Sequence, residues 1–253
     1  MAKKKLLKKQ LSISAFFPCY NDAGTIASMV ELATLTLRKL TRDFEVIVVD
    51  DGSTDGSREI LEELSGKNHY LKLVFHKNNK GYGGALISGF KAATREFIFY
   101  TDGDFQYDVS ELIKLVPLIG NNVDVVQGYK IKRQDPWYRI LIGNIYNWGV
   151  NMAFGIKIKD VDCDFRLIRR RVFDKVHLKR MSGVITVEMV KKIQDAGFKF
   201  AQVGVSHYNR AYGRSQFFNF ERIFKVFVEI IELWSELVLP KWKQKYFIKT
   251  DKF

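Results

Sequence analysis

The chain has 253 residues, 47% of them hydrophobic, which suits one large α/β domain, or one domain with a short appendage, around a sizeable core. Lys and Arg outnumber Asp and Glu by 41 to 28, a net charge of +13 that directs the protein to anionic partners: nucleic acid, phosphorylated small molecules or an anionic membrane. No stretch of about 18 uncharged apolar residues is present, which argues against a spanning helix.

Residues 1–10 form a basic tail whose charge would suit a signal peptide, but no apolar run of adequate length follows it. Leu11–Phe17 reads as a short apolar strand. Ile26, Met29, Val30, Ala33, Leu37 and Leu40 recur at helical spacing. Phe44–Val49 is a β-rich run ending in Asp50-Asp51, and Asp55 and Ser57 can start the helix that runs through Leu64. A third strand at Leu71–Phe75, a helix at Gly83–Ala93 and a fourth strand at Phe97–Tyr100 follow. Asp108 with Glu111 then marks a helix start of capping-box type, and Val123–Val126 a fifth strand. This alternation predicts an α/β fold with a mostly parallel sheet flanked by helices. In such sheets ligands bind beyond the carboxyl ends of the strands. Four consecutive strands deliver acids or amides there: Asn21 and Asp22, Asp50 and Asp51, Asn78 and Asn79, Asp102 and Asp104.

The second half is less regular. Trp137–Phe154 is aromatic and reads as a helix, Val161–Ile168 as a strand, Val184–Ala196 as a helix and Phe198–Val205 as a strand. With no repeat, low-complexity linker or Pro/Gly-rich boundary, one domain over 11–216 is expected, followed by an extension over 217–253. The two cysteines, Cys19 and Cys163, sit in no metal-ligand spacing and read as buried reduced thiols of a cytosolic protein.

Three segments carry chemistry. In Asp102-Gly103-Asp104, two carboxylates with one residue between them can converge on a hard cation such as Mg²⁺ or Mn²⁺, which prefers oxygen ligands and shares them with phosphates, while the same pair also suits a solvated turn. In Asp50-Asp51-Gly52-Ser53-Thr54-Asp55, carboxylates can accept from a nucleotide base and ribose, while the same residue types also suit a turn and helix cap. In Asn79-Lys80-Gly81-Tyr82-Gly83-Gly84-Ala85, glycines let backbone approach an anion at a helix start. The last segment lacks both the dinucleotide fingerprint and the P-loop ending, and it also reads as a plain Gly-rich turn.

Taken with Pro18-Cys19-Tyr20-Asn21-Asp22, the order and spacing of these segments resemble family 2 glycosyltransferases of the GT-A fold. Asp102-Gly103-Asp104-Phe105-Gln106-Tyr107-Asp108, Asp164-Phe165-Arg166-Leu167-Ile168-Arg169-Arg170 and Arg210-Ala211-Tyr212-Gly213-Arg214-Ser215-Gln216 look closest to the dolichol-phosphate mannose synthase-like, polyprenyl-phosphate branch. The resemblance implies a nucleotide-sugar half over 11–128 and an acceptor half over 129–216. It implies that Pro18, Tyr20, Asp22, Asp51 and Asn79–Gly81 (with Lys80) hold the donor. Asp102, Gly103, Asp104 and Gln106 would serve the nucleotide and a Mg²⁺ or Mn²⁺ ion, with Asp102, Asp104 and Arg210 catalytic. Arg210 and Ser215 would clamp the diphosphate. The chain departs from the branch at Asp22, Asp164, Gln216 and Gly128-Tyr129-Lys130, and the last departure bears on the acceptor phosphate, because Lys lacks the bidentate fork of Arg.

The implied reaction is in-line displacement with inversion, moving a hexose from a GDP-mannose or UDP-glucose type donor to a polyprenyl or dolichyl phosphate. A sugar-hydroxyl acceptor, the alternative in glycan assembly, needs a general base, for which Glu188 is the main candidate. A lipid phosphate is already ionised, and the cationic bias of Lys130, Arg133, Arg139, Arg166 and Arg214 favours it. Within 217–253, Arg222, Lys225, Glu229, Glu232 and Glu236 form one helical stripe on an otherwise apolar segment, which predicts an amphipathic helix lying at a membrane interface or packing on the body or a second subunit. Lys241-Trp242-Lys243-Gln244-Lys245-Tyr246-Phe247 mixes cations and interface-favouring aromatics. The expected location is the cytosolic face of a membrane, held peripherally. No nucleic-acid-reading motif accompanies the charge, so no nucleic-acid partner is expected.

Overall fold

The structure is a computed structural model that describes residues 11–120, 122–133, 137–209 and 220–240, without the side chains of 132–133 and 220–223. Seven strands share one sheet: β1 (Ser12–Cys19), β2 (Asp43–Asp50), β3 (Leu71–Phe75), β4 (Phe97–Thr101), β5 (Val125–Arg133), β6 (Phe165–Arg169) and β7 (Phe200–His207). Their order is β3-β2-β1-β4-β6-β5-β7. All neighbouring pairs are parallel except those of β6, which runs antiparallel to both β4 and β5. The helices are α1 (Ile26–Leu40), α2 (Ser57–Lys67), α3 (Gly81–Ala92), the single turn α4 (Leu112–Leu115), α5 (Trp137–Phe154), α6 (Ile185–Asp195) and α7 (Phe220–Leu237).

The near-continuous apolar runs of β1, β2 and β4 are the pattern expected of strands covered on both faces, and nearly every residue in them is buried. On one face α1 inserts Ile26, Met29, Val30, Ala33 and Leu37 against Phe17, Val48 and Phe99. On the other, Leu86 and Phe90 of α3 and Ile185, Met189 and Ile193 of α6 pack on Phe16, Ile47 and Tyr100. A third core joins Val150 and Phe154 of α5 to Val184, Val187 and Val190 and to Leu233 of α7.

The chain winds outward from β1 to β3 and then crosses back to place β4 on the other side of β1. In open α/β sheets such a reversal is where ligands bind, here beyond the carboxyl ends of β1 and β4. Two strands differ from the sequence pattern by more than two residues at one end. The fifth strand runs to Arg133 rather than ending at Val126, because the mostly polar stretch Gln127 to Arg133 pairs, with a bulge between Lys130 and Lys132, with Gln202 to His207 of β7. The sixth begins at Phe165 rather than Val161, because Asp160–Cys163 are drawn into side-chain bonds with Lys130 and Gln127.

Candidate active site

The loops that leave β1, β2, β3 and β4 are stitched to one another, which places their polar residues on one edge. Asn21 adopts φ +57°, in the left-handed region where a non-glycine side chain is strained. The bonds across the gap hold it there: Asn21 N–H donates to Ser53 Oγ (3.0 Å), and Thr54 N–H donates to Asn21 Oδ1 (2.8 Å). Asp22 N–H donates to Ser57 Oγ and Ala23 N–H to Asp55 Oδ2. Thr25 Oγ1 then donates to the carbonyl of Gly103 at 3.0 Å, tying the first loop to the fourth. A Cβ at position 103 would lie 2.6 Å from the carbonyl of Pro18, so only glycine lets these two loops meet so closely.

The two acids after β2 divide their tasks. Asp50 is fully buried and structural: it accepts from Ser53 N–H and forms an ion pair with Arg58 at 2.9 Å. Asp51 faces the next loop. Its Oδ1 accepts from the backbone N–H of Lys80 at 2.8 Å and meets His76 Nδ1 at 2.6 Å, while His76 Nε2 meets Ser88 Oγ at 2.8 Å. Thus Asp51 is oriented from two sides beside the start of α3, and the partial positive charge of that helix N-terminus lies next to it. Asp55 accepts from Ser57 N–H and Oγ, so it supports the first turn of α2 although the residue preceding the helix is Gly56.

Beyond β4, Asp102 Oδ1 accepts from Tyr82 OH at 2.7 Å, and Asp104 Oδ1 accepts from Gln106 N–H at 3.1 Å. Burial and the Asp102 charge push the Tyr82 phenol well above its ordinary range, so it stays protonated and keeps donating. Between Asp104 and Gln106, Phe105 is the second non-glycine residue at positive φ, +63°. Gln106 links this loop to the end of β7: its N ε2 donates to the Tyr208 carbonyl (3.2 Å), and Tyr208 N–H donates back to the Gln106 carbonyl (2.9 Å). Among the described residues no group of three His, Cys, Asp or Glu is gathered to hold a metal. Asp102 and Asp104 are an all-oxygen pair, which suits Mg²⁺ or Mn²⁺ completing its shell with diphosphate and water rather than a closed protein cage.

The acceptor-half residues fall out differently. Arg166, expected to face a ligand, is 1% exposed. Its guanidinium donates to Asp164 Oδ1 at 2.7 Å, to Gln127, to Tyr100 OH and to the Val161 carbonyl, and burial lowers its pKa to about 9. It holds the sheet and the 161–164 turn together. Glu188, the candidate base, is also 1% exposed. Its carboxylate accepts from the N–H groups of Lys179 and Arg180 and from Lys192 Nζ, so it anchors a turn instead of facing a ligand. It does not pair with Arg166. Lys130 donates to the Asp162 carbonyl and sits 3.5 Å from Asp160. Arg139 stands half-buried in the first turn of α5, and Tyr20 is exposed at the rim. The side chain of Arg133, all of Arg210, Arg214 and Ser215, and the 1–10 and 241–253 tails lie outside the described residues. Two site residues, His76 and Tyr82, carry roles that the sequence pattern does not single out. The only cue was position: one follows β3 directly and the other sits inside the glycine-rich turn.

A strand-order reversal with an aspartate pair beyond its fourth strand defines a class, α/β domains with a ligand edge at the switch in strand order, and comparison narrows it. The family model "Glycosyl transferase family 2" matches residues 14–177, and the chain belongs to that family. Among curated proteins it is similar to undecaprenyl-phosphate 4-deoxy-4-formamido-L-arabinose transferase of Aeromonas hydrophila, 28% identical over 81% of this chain and 62% of the relative. It is similar in the same way to the protein of that name from Proteus mirabilis, 27% identical over the same shares. The chain therefore spans about three fifths of the length of these relatives. Among solved structures it shares its fold with glucosyl-3-phosphoglycerate synthase from Mycobacterium tuberculosis in complex with Mn²⁺, uridine diphosphate and phosphoglyceric acid. That likeness has a TM-score of 0.69 at 17% identity and covers 93% of this chain and 81% of that one. A complex of the same synthase with Mg²⁺ and uridine diphosphate aligns with a TM-score of 0.67 at 16% identity, over 93% of this chain and 82% of that one. The sheet is thus of the GT-A type.

Proposed function

We propose that the protein transfers a sugar from a nucleotide-sugar to a polyprenyl phosphate at a membrane surface. The donor lies over the β1–β4 edge. Asp22, Asp51 and the backbone at Asn79–Gly81 hold the nucleotide, and Asp102 and Asp104, with Gln106 beside them, hold Mg²⁺ or Mn²⁺. The ion would supply positive charge to the leaving diphosphate. Tyr82 fixes the Asp102 carboxylate, His76 fixes Asp51, and the Gln106–Tyr208 bonds tie the end of β7 to the same edge. Arg210 and Ser215 clamp the diphosphate in this reading.

The observation that carries the choice of acceptor is a face of bare apolar side chains. On α5, Trp137, Leu141, Ile142, Ile145, Trp148 and Met152 are each more than half exposed. On α7 the same holds for Phe224, Phe227 and Ile231. Apolar exposure on this scale marks a partner surface. Both helices pack into the same third core through their other sides. The acidic stripe of α7 faces the body: Glu232 and Glu236 pair with Arg180, and Glu229 accepts from Ser182 Oγ. An acidic stripe toward lipid would oppose membrane contact, and pairing with Arg180 offsets part of that charge. Such a helix pair lies in an interface rather than crossing it, and among the described residues no helix is long and apolar enough to cross a membrane.

A phosphate acceptor is ionised near neutral pH and needs orientation more than deprotonation. This agrees with Glu188 being occupied in an anchoring role. The test is a panel of radiolabelled nucleotide-sugars incubated with polyprenyl phosphate in vesicles. The expected product is a divalent-metal-dependent, organic-extractable, acid-labile glycolipid. Label appearing only in water-soluble saccharides would overturn the lipid acceptor.

A further inference from the structure

Residues 179–183 connect the helix proposed to meet lipid with the turn proposed to meet the donor. On the donor side, Gly83 N–H donates to the Met181 carbonyl at 2.8 Å. The approach is backbone to backbone: a Cβ at Gly83 would lie 2.1 Å from the Arg180 carbonyl, and one at Gly81 would lie 2.5 Å from the Met181 carbonyl. Two residues beside those glycines reach the site directly, Tyr82 through Asp102 and Lys80 through Asp51.

On the other side two of these five residues, Arg180 and Ser182, are bonded to α7. The guanidinium of Arg180 donates to Glu232 at 3.0 Å and to Glu236 at 2.6 Å, and Ser182 Oγ donates to Glu229. Beneath them, the buried Glu188 carboxylate accepts from Lys179 N–H at 3.0 Å and Arg180 N–H at 2.9 Å, which fixes the height of the segment over α6. The three glutamates fall at positions 229, 232 and 236, three and four residues apart, so they form one row on α7, and that row is the one turned to the strap.

We infer that Arg180 is a positioning residue for the donor site, and that the 179–183 strap sets the glycine-rich turn according to how α7 is seated. The inference rests on the donor reading above and adds to it a named route between the two surfaces.

The probe is uridine diphosphate, and separately guanosine diphosphate, titrated calorimetrically with Mn²⁺ into the full chain. Arg180→Glu places a like charge against Glu232 and Glu236 and is expected to weaken nucleotide binding about 10-fold, within the usual range of coupling energies. Reversing all three charges, Arg180→Glu with Glu232→Arg and Glu236→Arg, restores the pairing and is expected to return affinity to within about 3-fold of the starting chain, because coupled neighbours are non-additive. Glu232→Gln with Glu236→Gln alters only side chains that are 57% and 58% exposed. This pair is expected to lower affinity about 3-fold with little change in thermal midpoint, as surface ion pairs contribute little to stability. Unchanged affinity in that double variant, or a triple variant no better than Arg180→Glu, would overturn the coupling while leaving the donor site standing. A starting chain that binds neither nucleotide would overturn the donor reading, and the coupling with it.

Discussion

The two halves of the molecule present different kinds of surface. In the first, the functional groups sit in short loops at strand ends, fixed by hydrogen bonds from neighbouring loops, and the site is polar, anionic and rigid. In the second, the exposed feature is the outer side of two helices, apolar and aromatic, held from behind by a separate core. A donor carrying a diphosphate and a metal needs the first kind of surface; a lipid needs the second. The contrast also explains why one half can be read from residue spacing and the other cannot.

The largest effect expected to break this division is at Asp104. Asp104→Asn keeps the size of a side chain that is 4% exposed while removing a charge proposed to bind metal. Turnover should fall by more than about 100-fold, the scale of losing a main electrostatic contact, with an unchanged circular dichroism spectrum. Normal turnover would remove the metal assignment.

Next in size is the apolar face. Ile145→Glu with Phe227→Glu adds charges at positions that are 60% and 59% exposed, so folding should survive. Sedimentation with vesicles and transfer to polyprenyl phosphate should each drop about 10-fold as buried apolar area is lost, while nucleotide affinity stays unchanged. An equal loss of nucleotide affinity would mean that the two surfaces are not separable in this way.

Gly83→Ala sharpens the boundary between the halves. The added Cβ would overlap the Arg180 carbonyl. It should cost about 1–3 kcal/mol of stability in chemical denaturation, typical of overpacking, and should weaken the donor more than the acceptor.

The smallest effect concerns the opposite end of the sheet, where Glu45 is buried. Burial opposes its ionisation, but hydrogen bonds from Lys72, Ser14 and Thr94 more than offset this and hold its pKa at about 2. Its folded value lies below the ordinary carboxylate value of about 4.3, so its contribution is full above that value and is lost as pH falls toward 2. Glu45→Gln should therefore flatten the acid limb of the stability profile between those values, read from urea midpoints at successive pH. A profile parallel to that of the starting chain would contradict it.

Much of the first half was legible. Apolar runs ending in Asn21-Asp22, Asp50-Asp51 and Asp102-Gly103-Asp104 are local features, and parallel topology alone brings such strand ends together. Spacing could not say which member of Asp50-Asp51 turns inward, because that depends on Arg58 and His76 arriving from other elements. In the second half the failure has one cause. Arg166 and Glu188 have the residue types of ligand groups, and only tertiary packing reveals that Asp164 and Gln127, or the 179–180 backbone, already occupy them. The charged stripe of α7 was visible as a row; that it faces Arg180, leaving the apolar side bare, was not. Strand β5 was cut short for a similar reason, since its polar stretch is ordered by β7 across the sheet and not by its own pattern.

The most direct test of this division is hydrogen exchange on one sample under two additions. Uridine diphosphate with Mn²⁺ should slow exchange at the loops around 20–25, 51–55, 79–84 and 102–106. Vesicles carrying polyprenyl phosphate should instead slow it along α5 and α7. Vesicle protection confined to the strand-end loops, or nucleotide protection absent from them, would contradict the account.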